Sequence, residues 1–263
     1  MKSTTNKQMK IVIIGAGNVG YHLGRKLYNV GEEVVEVFSR QRKKTVRLAK
    51  CLGAQATASL RDIRTDADLY ILAVSDDAIS AVAKILADRG CAENLIVHTS
   101  GVTPLTVFKN TGLRRYGIFY PLQSFSISTE PDFSTIPFCI DARQEDDRKL
   151  LMELAAKMSS HIYCFNDEQR ALIHLAAVYA NNFTNHLFHI AHQLLEKENI
   201  PFEILWPLIN ETVRKIKNAP PSEMQTGPAA RGDVATINQH LQLLENKPEY
   251  RKIYQLLTEA ICR

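Results

Sequence analysis

The chain has 263 residues, a formal net charge of +4, 45% hydrophobic residues and 23% charged residues. This composition is that of a soluble globular protein, and the length suits one large domain or two ordinary ones. The basic residues are scattered apart from residues 40–44, so the sequence predicts no nucleic-acid partner, although a mild positive charge suits an anionic ligand.

Five cysteines lie far apart, with no C-x-x-C or Cys/His spacing, which predicts neither a disulfide framework nor a metal site. Residues 1–9 are polar and lack the pattern of a signal peptide, so we expect a reduced, cytoplasmic protein whose residues 1–8 form a loose tail. No membrane partner is expected either, because the longest uncharged stretch, residues 171–195, carries too many histidines and asparagines for lipid.

A glycine-rich turn follows the first apolar run of the chain. Residues 10–14 read K-I-V-I-I and lead into G-x-G-x-x-G, with an amphipathic helix after it. In this context the first glycine permits a tight turn, the second lets the backbone approach a pyrophosphate, and the third allows close packing of the helix. The turn therefore predicts a dinucleotide site made by Gly15, Gly17, Asn18, Val19 and Gly20.

The first part of the chain alternates strands and helices. Strands are predicted at residues 10–15, 33–39, 54–57, 69–74, 94–98, 115–120, 137–141 and 161–164, and helices at 19–29, 43–51, 77–89 and 145–158. This order predicts a Rossmann-type, doubly wound parallel sheet in residues 1–166. From residue 167 to 263 every pattern is helical, which predicts a second, all-α domain opened by a capping sequence at Asn166 and containing a helix capped by Asp233.

The end of the second strand indicates which dinucleotide is bound. Enzymes that prefer NAD usually place an acidic residue there, whereas this chain has Ser39 and Arg40, with further cations at residues 42–44. A hydroxyl and a guanidinium can bind a 2′-phosphate, which favours NADP over NAD. The alternative is that these cations only begin a solvated helix.

Two more loops should line the same cleft. Ala73, Val74 and Ser75 follow the fourth strand, where small residues let the backbone pass close to a cofactor; the two aspartates after them more simply cap the next helix. His98 and Ser100 follow the fifth strand, at the edge where open α/β sheets bind ligands.

Residues 171–195 contain no charged side chain, which predicts a helix buried nearly all round between domains or subunits. At roughly 100° per residue, His174, Asn181 and Asn185 fall on one line of this helix. Such buried polar groups need partners, either a substrate with nicotinamide or the backbone of the other domain. We therefore assign His174 as a candidate proton donor, working with Asn181 or Asn182; a structural histidine with packing amides is the alternative.

The order of these motifs resembles a known group. The motifs are G-A-G-N-V-G, A-V-S-D-D-A-I, H-T-S-G, Y-P-L-Q-S-F, H-L-A-A-V with N-N-F, and T-G-P-A-A-R-G-D. They resemble an uncharacterised Rossmann-like family of NADP-dependent oxidoreductases with a helical C-terminal domain of unknown function. The architecture is similar to pyrroline-5-carboxylate reductase and to the 6-phosphogluconate and 3-hydroxyisobutyrate dehydrogenases.

This resemblance implies a homodimer through the helical domain and an active site at the domain boundary. It also implies substrate contacts for Ser100, Tyr120 and Gln123. The hydroxyacid dehydrogenases of this superfamily carry a catalytic lysine on the corresponding helix, whereas this chain has His174 and no lysine there. Arg231 could bind a substrate carboxylate or phosphate, or could form a salt bridge to Asp233.

Two functions are compatible with these features. The first is transfer of a hydride between NADP(H), or NAD(H), and a small polar carbonyl, imine or hydroxy compound, with His98 and Ser100 assisting His174. The second is a non-catalytic NADP sensor that regulates a partner, which the missing lysine favours.

Overall fold

The computed structural model of the protein describes residues 8–262. The chain divides into two compact units, one ending at Asn181 and the other beginning at Asn182. The change from mixed to helical pattern that defines the predicted domain boundary lies earlier, at residue 166. The predicted N-terminal tail lies outside the described residues apart from Gln8, whose side-chain amide donates to the carbonyl of Gly31 over 2.8 Å.

The first unit is built on one eight-stranded sheet with the order β3-β2-β1-β4-β5-β6-β7-β8. The strands are β1 Lys10–Ile14, β2 Glu33–Phe38, β3 Gln55–Thr57, β4 Leu69–Leu72, β5 Leu95–His98, β6 Arg115–Pro121, β7 Phe138–Ala142 and β8 Ile162–Cys164. The helices are α1 Asn18–Asn29, α2 Arg42–Leu52, α3 Ile79–Leu86, α4 Glu145–Ala156 and α5 Asp167–Ala177. The predicted fold class, a Rossmann-type sheet followed by a helical region, is confirmed.

Alternating side chains of the central strand supply both faces of the sheet. Ile11 and Ile13 of β1 pack in one apolar cluster, while Val12 and Ile14 pack in the other. All four are fully buried, as expected for a strand covered by helices on both sides.

The strands β1, β4, β5 and β6 are parallel to one another. Their carboxyl ends consequently meet at one edge of the sheet.

One edge of the sheet departs from the parallel arrangement of the rest. β7 pairs antiparallel with β6, and β8 pairs parallel with β7, so these two strands run opposite to the rest. The connection from β6 to β7 contains a short 3₁₀ turn, Phe133–Thr135, and no α-helix. A parallel return needs a long crossover, usually helical, so this connection brings the chain back in the opposite direction.

The predicted cap at the start of α5 is confirmed. The Asn166 side chain accepts from the backbone N–H of Gln169 over 2.8 Å, and the Gln169 side chain accepts from the N–H of Asn166 over 3.1 Å. After α5 the chain makes a wide π turn, Val178–Phe183, in which the hydrogen bonds skip one residue more than in an α-helix. This turn changes the angular position of the residues after it, so the alignment of His174, Asn181 and Asn185, which assumed an uninterrupted α-helix, does not hold.

The expectation that residues 171–195 are buried nearly all round is wrong for a single chain. Leu172 is 67% exposed and Tyr179 is 65% exposed. Ile190 is the apolar side chain of this stretch that is buried.

The second unit is helical, and its described residues contain little core. Its helices are α6 Thr184–Glu196, α7 Trp206–Ile216, α8 Pro228–Arg231, α9 Val234–Leu243 and α10 Pro248–Ile261. Asp233 caps α9 as predicted, accepting from the N–H of Thr236 over 3.1 Å. Among the described residues of this unit, Ile190 and Leu244 are the buried hydrophobic side chains. No helix in residues 8–262 is both long and apolar enough to cross a membrane.

Candidate functional site

The three glycines after β1 have distinct surroundings. A Cβ on Gly15, which has φ +115°, would lie 2.0 Å from the carbonyl oxygen of Ala73, and a Cβ on Gly20 would lie 1.9 Å from that of Gly15. Both positions therefore exclude any side chain. Gly17 differs, because a Cβ there would have no heavy atom within 4 Å. The open space lies at the position where the sequence predicts a pyrophosphate.

The first turn of α1 is suited to an anion. Gly17 occupies the N-cap position without a side-chain cap, and the first turn has no acidic residue. The backbone N–H groups of this turn are consequently left for a ligand, and the helix dipole favours a negative charge there. The Asn18 side chain points elsewhere, since its amide donates to the carbonyl of Phe125 over 2.8 Å.

A cleft of about 270 Å³ begins at this turn. Seven of the ten predicted cofactor residues line it, whereas Asn18, Val19 and Gly20 do not. The lining is formed by Gly15, Ala16, Gly17, Phe38, Ser39, Arg40, Gln41, Lys44, Leu60, Ala73, Val74, Ser75, Ala78 and Val82. The residues fit a dinucleotide, because the open backbone at Gly17 lies in the same cleft as Arg40, which follows β2, and Lys44, in the first turn of α2.

No carboxylate at the end of β2 is available to bind a ribose hydroxyl in this cleft. Glu36 is 1% exposed, and its carboxylate accepts from the backbone N–H of Arg64 over 2.9 Å and from the Thr57 hydroxyl. Ser39 Oγ accepts from the Gln41 backbone N–H and from the Thr45 hydroxyl, both over 3.1 Å. Arg40 is exposed, and its charge helps the Ser75 hydroxyl to lower the pKa of Asp77 across the cleft.

The loop after β5 lies next to this cleft. The backbone N–H of Thr99 donates to the carbonyl of Leu72, at the end of β4, over 3.2 Å. Ser100 is 8% exposed, and its hydroxyl oxygen accepts from the N–H groups of Val102 and Thr103 over 3.2 and 3.0 Å. Ser100 thus shapes the loop in this structure, whereas a contact with substrate stays a prediction.

His98 is fully buried, with its ring against Phe108 at a centroid distance of 5.5 Å. Its Nδ1 accepts from the Ser100 N–H over 3.2 Å, so the neutral ring carries its proton on Nε2. Burial, aided by the nearby charge of Arg170, lowers the pKa of His98 to about 3. This environment favours a structural role over the assisting role proposed from the sequence.

The loop residue that touches other site residues is Gly101. A Cβ there would lie 2.5 Å from Nδ1 of His174 and 2.8 Å from Cζ of Tyr120. The two side chains meet beside it, with the Tyr120 hydroxyl 3.1 Å from Nδ1 of His174. We call these two residues the Tyr120–His174 pair. Gly101 was not among the candidates from the sequence, where it appears only as the last letter of H-T-S-G.

The pair joins the end of β6 to the middle of α5. Burial raises the pKa of Tyr120 to about 12, so its hydroxyl keeps its proton at neutral pH and can donate to Nδ1 of the ring when that nitrogen is unprotonated. With the hydroxyl as donor, the His174 ring carries its proton on Nε2. This is the arrangement in which one group orients a proton donor for a reaction partner.

The remaining candidate residues have surroundings of their own. Asn181 and Asn182 are exposed within the π turn, and Gln123 is exposed with its side-chain oxygen accepting from the Ser124 N–H over 2.8 Å. Arg231 lies in the second unit on α8, where its charge contributes to the lowered pKa of Asp233 after the hydrogen bonds from Thr236. Within residues 8–262, no group of three His, Cys, Asp or Glu side chains is placed to hold a metal ion.

The fold and the glycine-rich turn define a Rossmann-type dinucleotide-binding protein. Residues 10–100 match the family "NADP oxidoreductase coenzyme F420-dependent", and residues 136–261 match a domain of unknown function, DUF2520. A crystal structure described as a "putative NADP oxidoreductase" from Bacteroides fragilis shares 39% identity, covers 97% of this chain and 98% of that chain, and superposes with a TM-score of 0.92. The chain belongs to the family of that protein, which confirms the resemblance stated from its motifs.

More distant structures share the fold. A pyrroline-5-carboxylate reductase from Coxiella burnetii is 18% identical with a TM-score of 0.61, and each chain is 97% covered. An imine reductase from Myxococcus stipitatus, in complex with NADP+, is 15% identical with a TM-score of 0.68, covering 96% of this chain and 92% of that chain. No curated protein sequence matches this chain.

Proposed function

We propose that this chain is an NADP(H)-dependent oxidoreductase acting on a small polar carbonyl, imine or hydroxy compound. One observation carries the proposal: the dinucleotide cleft and the Tyr120–His174 pair lie at the same edge of the sheet. They are connected through Thr99, which bonds to the end of β4, and Gly101, which abuts both members of the pair. A cofactor cleft and an oriented proton donor are the two parts that carbonyl or imine reduction needs.

NADP is the cofactor that the cleft favours. Arg40 and Lys44 line it beside Ser39, and the nearest acidic residue of β2, Glu36, is buried against Thr57 and Arg64. The guanidinium of Arg40 and the ammonium of Lys44 can pair with the negative charge of the 2′-phosphate of NADP. NAD has a neutral ribose hydroxyl at that position. The NADP+ bound to the imine reductase of Myxococcus stipitatus supports this choice, and NAD is the alternative.

When bound, NADPH supplies the hydride that reduces the carbon of a C=O or C=N bond. The chain supplies the proton for the oxygen or nitrogen of that bond from Nε2 of His174, while the Tyr120 hydroxyl proton passes to Nδ1, so that the ring stays neutral. Solvent then returns a proton to the Tyr120 oxygen. Tyr120 holds the ring through Nδ1, and Gly101 leaves the room for this contact. Asn181 or Asn182 would orient the substrate, and Gln123 and Arg231 would contact it; these roles are carried over from the sequence.

The test is turnover of a panel of cyclic imines, keto acids and hydroxy acids with NADPH or NADP+, by wild type, Tyr120→Phe and His174→Asn. We expect both variants to lose about 100-fold in turnover with cofactor affinity retained, because general acid catalysis contributes on that order. His186→Asn, an exposed histidine of the second unit, is the matched control. Full activity of His174→Asn on a substrate turned over by wild type contradicts the assignment.

The second candidate is an NADP sensor without chemistry, favoured by the absence of lysine from residues 171–195. This role needs the cleft but not the Tyr120–His174 pair. It predicts that tight NADPH binding coexists with no turnover across the whole panel, and that His174→Asn retains cellular function.

We infer a homodimer from the apolar surface of the helical regions. Leu172 and Tyr179 are exposed on α5 and the π turn, and Trp206, Leu243 and Leu256 are 55%, 76% and 67% exposed in the second unit. A helical unit with so little core needs further burial, and such surface in one chain marks an interface. A second copy is the occupant we propose, because a symmetric dimer is the commonest assembly of soluble proteins. The cytoplasmic location and the likeness to 6-phosphogluconate dehydrogenase stay predictions.

A further inference from the structure

Arg170 is a buried cation that the proposed chemistry does not use. It lies on α5, and its residue is 0% exposed, the largest fully buried side chain among the described residues. Its Nη2 donates to the carbonyl of Thr103 over 2.6 Å and to Oδ1 of Asp167 over 2.7 Å. A buried ion pair is costly to desolvate and is weak support for stability, so another role must be considered.

The contacts of Arg170 join α5 to the loop after β5. Asp167 Oδ1 also accepts from the N–H of Leu105 over 2.8 Å, so two α5 residues hold the far end of this loop. Gly101, near the start of the same loop, abuts His174. The loop is braced internally by Ser100, whose hydroxyl accepts from Thr103 as well as Val102. This short segment is thus bonded to α5 at its far end and packs against α5 near its start.

Helix geometry connects the two ends. Arg170 and His174 are four residues apart, so they lie on the same face of α5, one turn from each other. Anchoring the Arg170 end fixes the rotation and height of α5 against the loop, and thereby the position of the His174 ring beside Tyr120. Displacements of about 1 Å at a reacting group can lower turnover by about 100-fold, so such an anchor matters.

The charge of Arg170 also influences the pKa values of titratable groups on the neighbouring strands. Burial raises the pKa values of Tyr120 and Cys139, and the Arg170 charge acts in the opposite direction on both. On Asp141 of β7 burial also raises the pKa, and Arg170 opposes it. Asp167 and the neutral His98 also face the Arg170 charge.

We propose that Arg170 is a positioning residue that holds the His174 ring in its hydrogen bond with Tyr120 by clamping α5 onto the loop Thr99–Leu105. The proposal deepens the proposed function and rests on it for its catalytic meaning, but the coupling itself concerns two residues of the free protein. Arg170 touches neither substrate nor cofactor in this scheme.

The test measures the tautomer of His174 directly. In ¹⁵N-histidine protein, the ring nitrogen shifts of His174, assigned by their loss in His174→Asn, report whether Nδ1 is held as an acceptor. We expect one tautomer in wild type and in Arg170→Lys, and averaged tautomers in Arg170→Met, with NADPH affinity unchanged within about twofold and turnover lowered about 100-fold. Unaltered ring shifts in a folded Arg170→Met overturn the proposal.

A second variant of the clamp and a control variant complete the test. If Arg170→Met does not fold, Asp167→Asn serves instead, because it weakens the same clamp at its partly exposed partner. Partial averaging then supports the proposal, and wild-type shifts overturn it. Arg148→Met, which removes a surface ion pair with Glu145 on α4, should leave the His174 shifts unchanged. Failure of the proposed function would show as full turnover by His174→Asn, whatever the ring shifts of the Arg170 variants.

Discussion

Tyr120 and His174 are 54 residues apart in the chain, yet the Tyr120 hydroxyl lies 3.1 Å from Nδ1 of His174. Their contact depends on a third residue, Gly101. A Cβ at that position would overlap with both side chains. The pair therefore gives the candidate site a geometric requirement that substitutions can test separately from cofactor binding.

Gly101→Ala should separate the pair without touching it chemically. The added Cβ would lie 2.5 Å from Nδ1 of His174, so the ring or the loop must move. We expect turnover to fall about as far as in His174→Asn, roughly 100-fold, with NADPH affinity unchanged. Steady-state kinetics and calorimetry measure the two quantities; wild-type turnover in Gly101→Ala would show that the contact is dispensable.

Gly17→Ala should have the converse effect. Its backbone is not in the left-handed region and its Cβ would meet no heavy atom within 4 Å, so the melting temperature should stay near that of wild type. The methyl group would occupy space needed for a pyrophosphate, and we expect NADPH affinity to fall by about tenfold or more. Titration of NADPH fluorescence measures this, with Gly101→Ala as the control. Undiminished affinity would remove the phosphate role of the turn.

Arg40→Ala should reduce discrimination between the two cofactors. Loss of a guanidinium that pairs with a 2′-phosphate should weaken NADPH binding by about tenfold and leave NADH binding nearly unchanged. The effect should shrink at high salt, because Arg40 is exposed and its charge is screened. Lys109→Ala, an exposed cation outside the cleft, is the control. An equal loss of affinity for both cofactors would contradict a 2′-phosphate contact.

His98 should make the protein less stable in acid. Its pKa is lowered to about 3 in the folded state from 6.5, so between these values the unfolded chain binds a proton that the folded chain does not. The free energy of unfolding should therefore fall as pH decreases below 6.5, by up to about 1.4 kcal/mol per pH unit from this residue. Urea unfolding at several pH values should show a shallower dependence in His98→Asn. Equal slopes would mean that His98 is protonated in the folded protein.

Leu172→Glu should weaken the proposed dimer. Leu172 is 67% exposed in the single chain, and a carboxylate would be buried there if a second copy covers it. Sedimentation equilibrium should show a dimer for wild type and a shift toward monomer for this variant. Tyr28→Glu, at a residue 52% exposed on α1, should leave the mass unchanged. A monomeric wild type would contradict the dimer.

The parts of the structure that could be predicted from the sequence depend on short-range signals. The turn at Gly15–Gly20 and the caps at Asn166 and Asp233 are defined by neighbouring residues, and all three are present. The reversal of β7 depends on the connection before it, where a 3₁₀ turn replaces a crossover helix. Composition and periodicity carry no signal for that difference.

The site was harder to predict than the fold. His174 was a candidate because polar groups on an apolar helix need partners, but its partner Tyr120 lies on a distant strand and could not be identified from spacing. The stripe through Asn181 assumed a uniform helix, which the π turn at Val178–Phe183 interrupts. Arg170 was overlooked because a single arginine at the start of a helix usually lies in solvent, whereas here it is fully buried.

The bracing of the Thr99–Leu105 loop has a consequence for ligand selection. The Ser100 hydroxyl bonds two backbone N–H groups, and α5 holds the rest of the loop through Thr103 and Leu105. The conformation of the loop is therefore set when the protein folds, so ligand binding costs little conformational entropy of the loop. Differences in substrate preference among relatives with this loop would then have to arise from side chains around the loop, while its backbone serves as a fixed template.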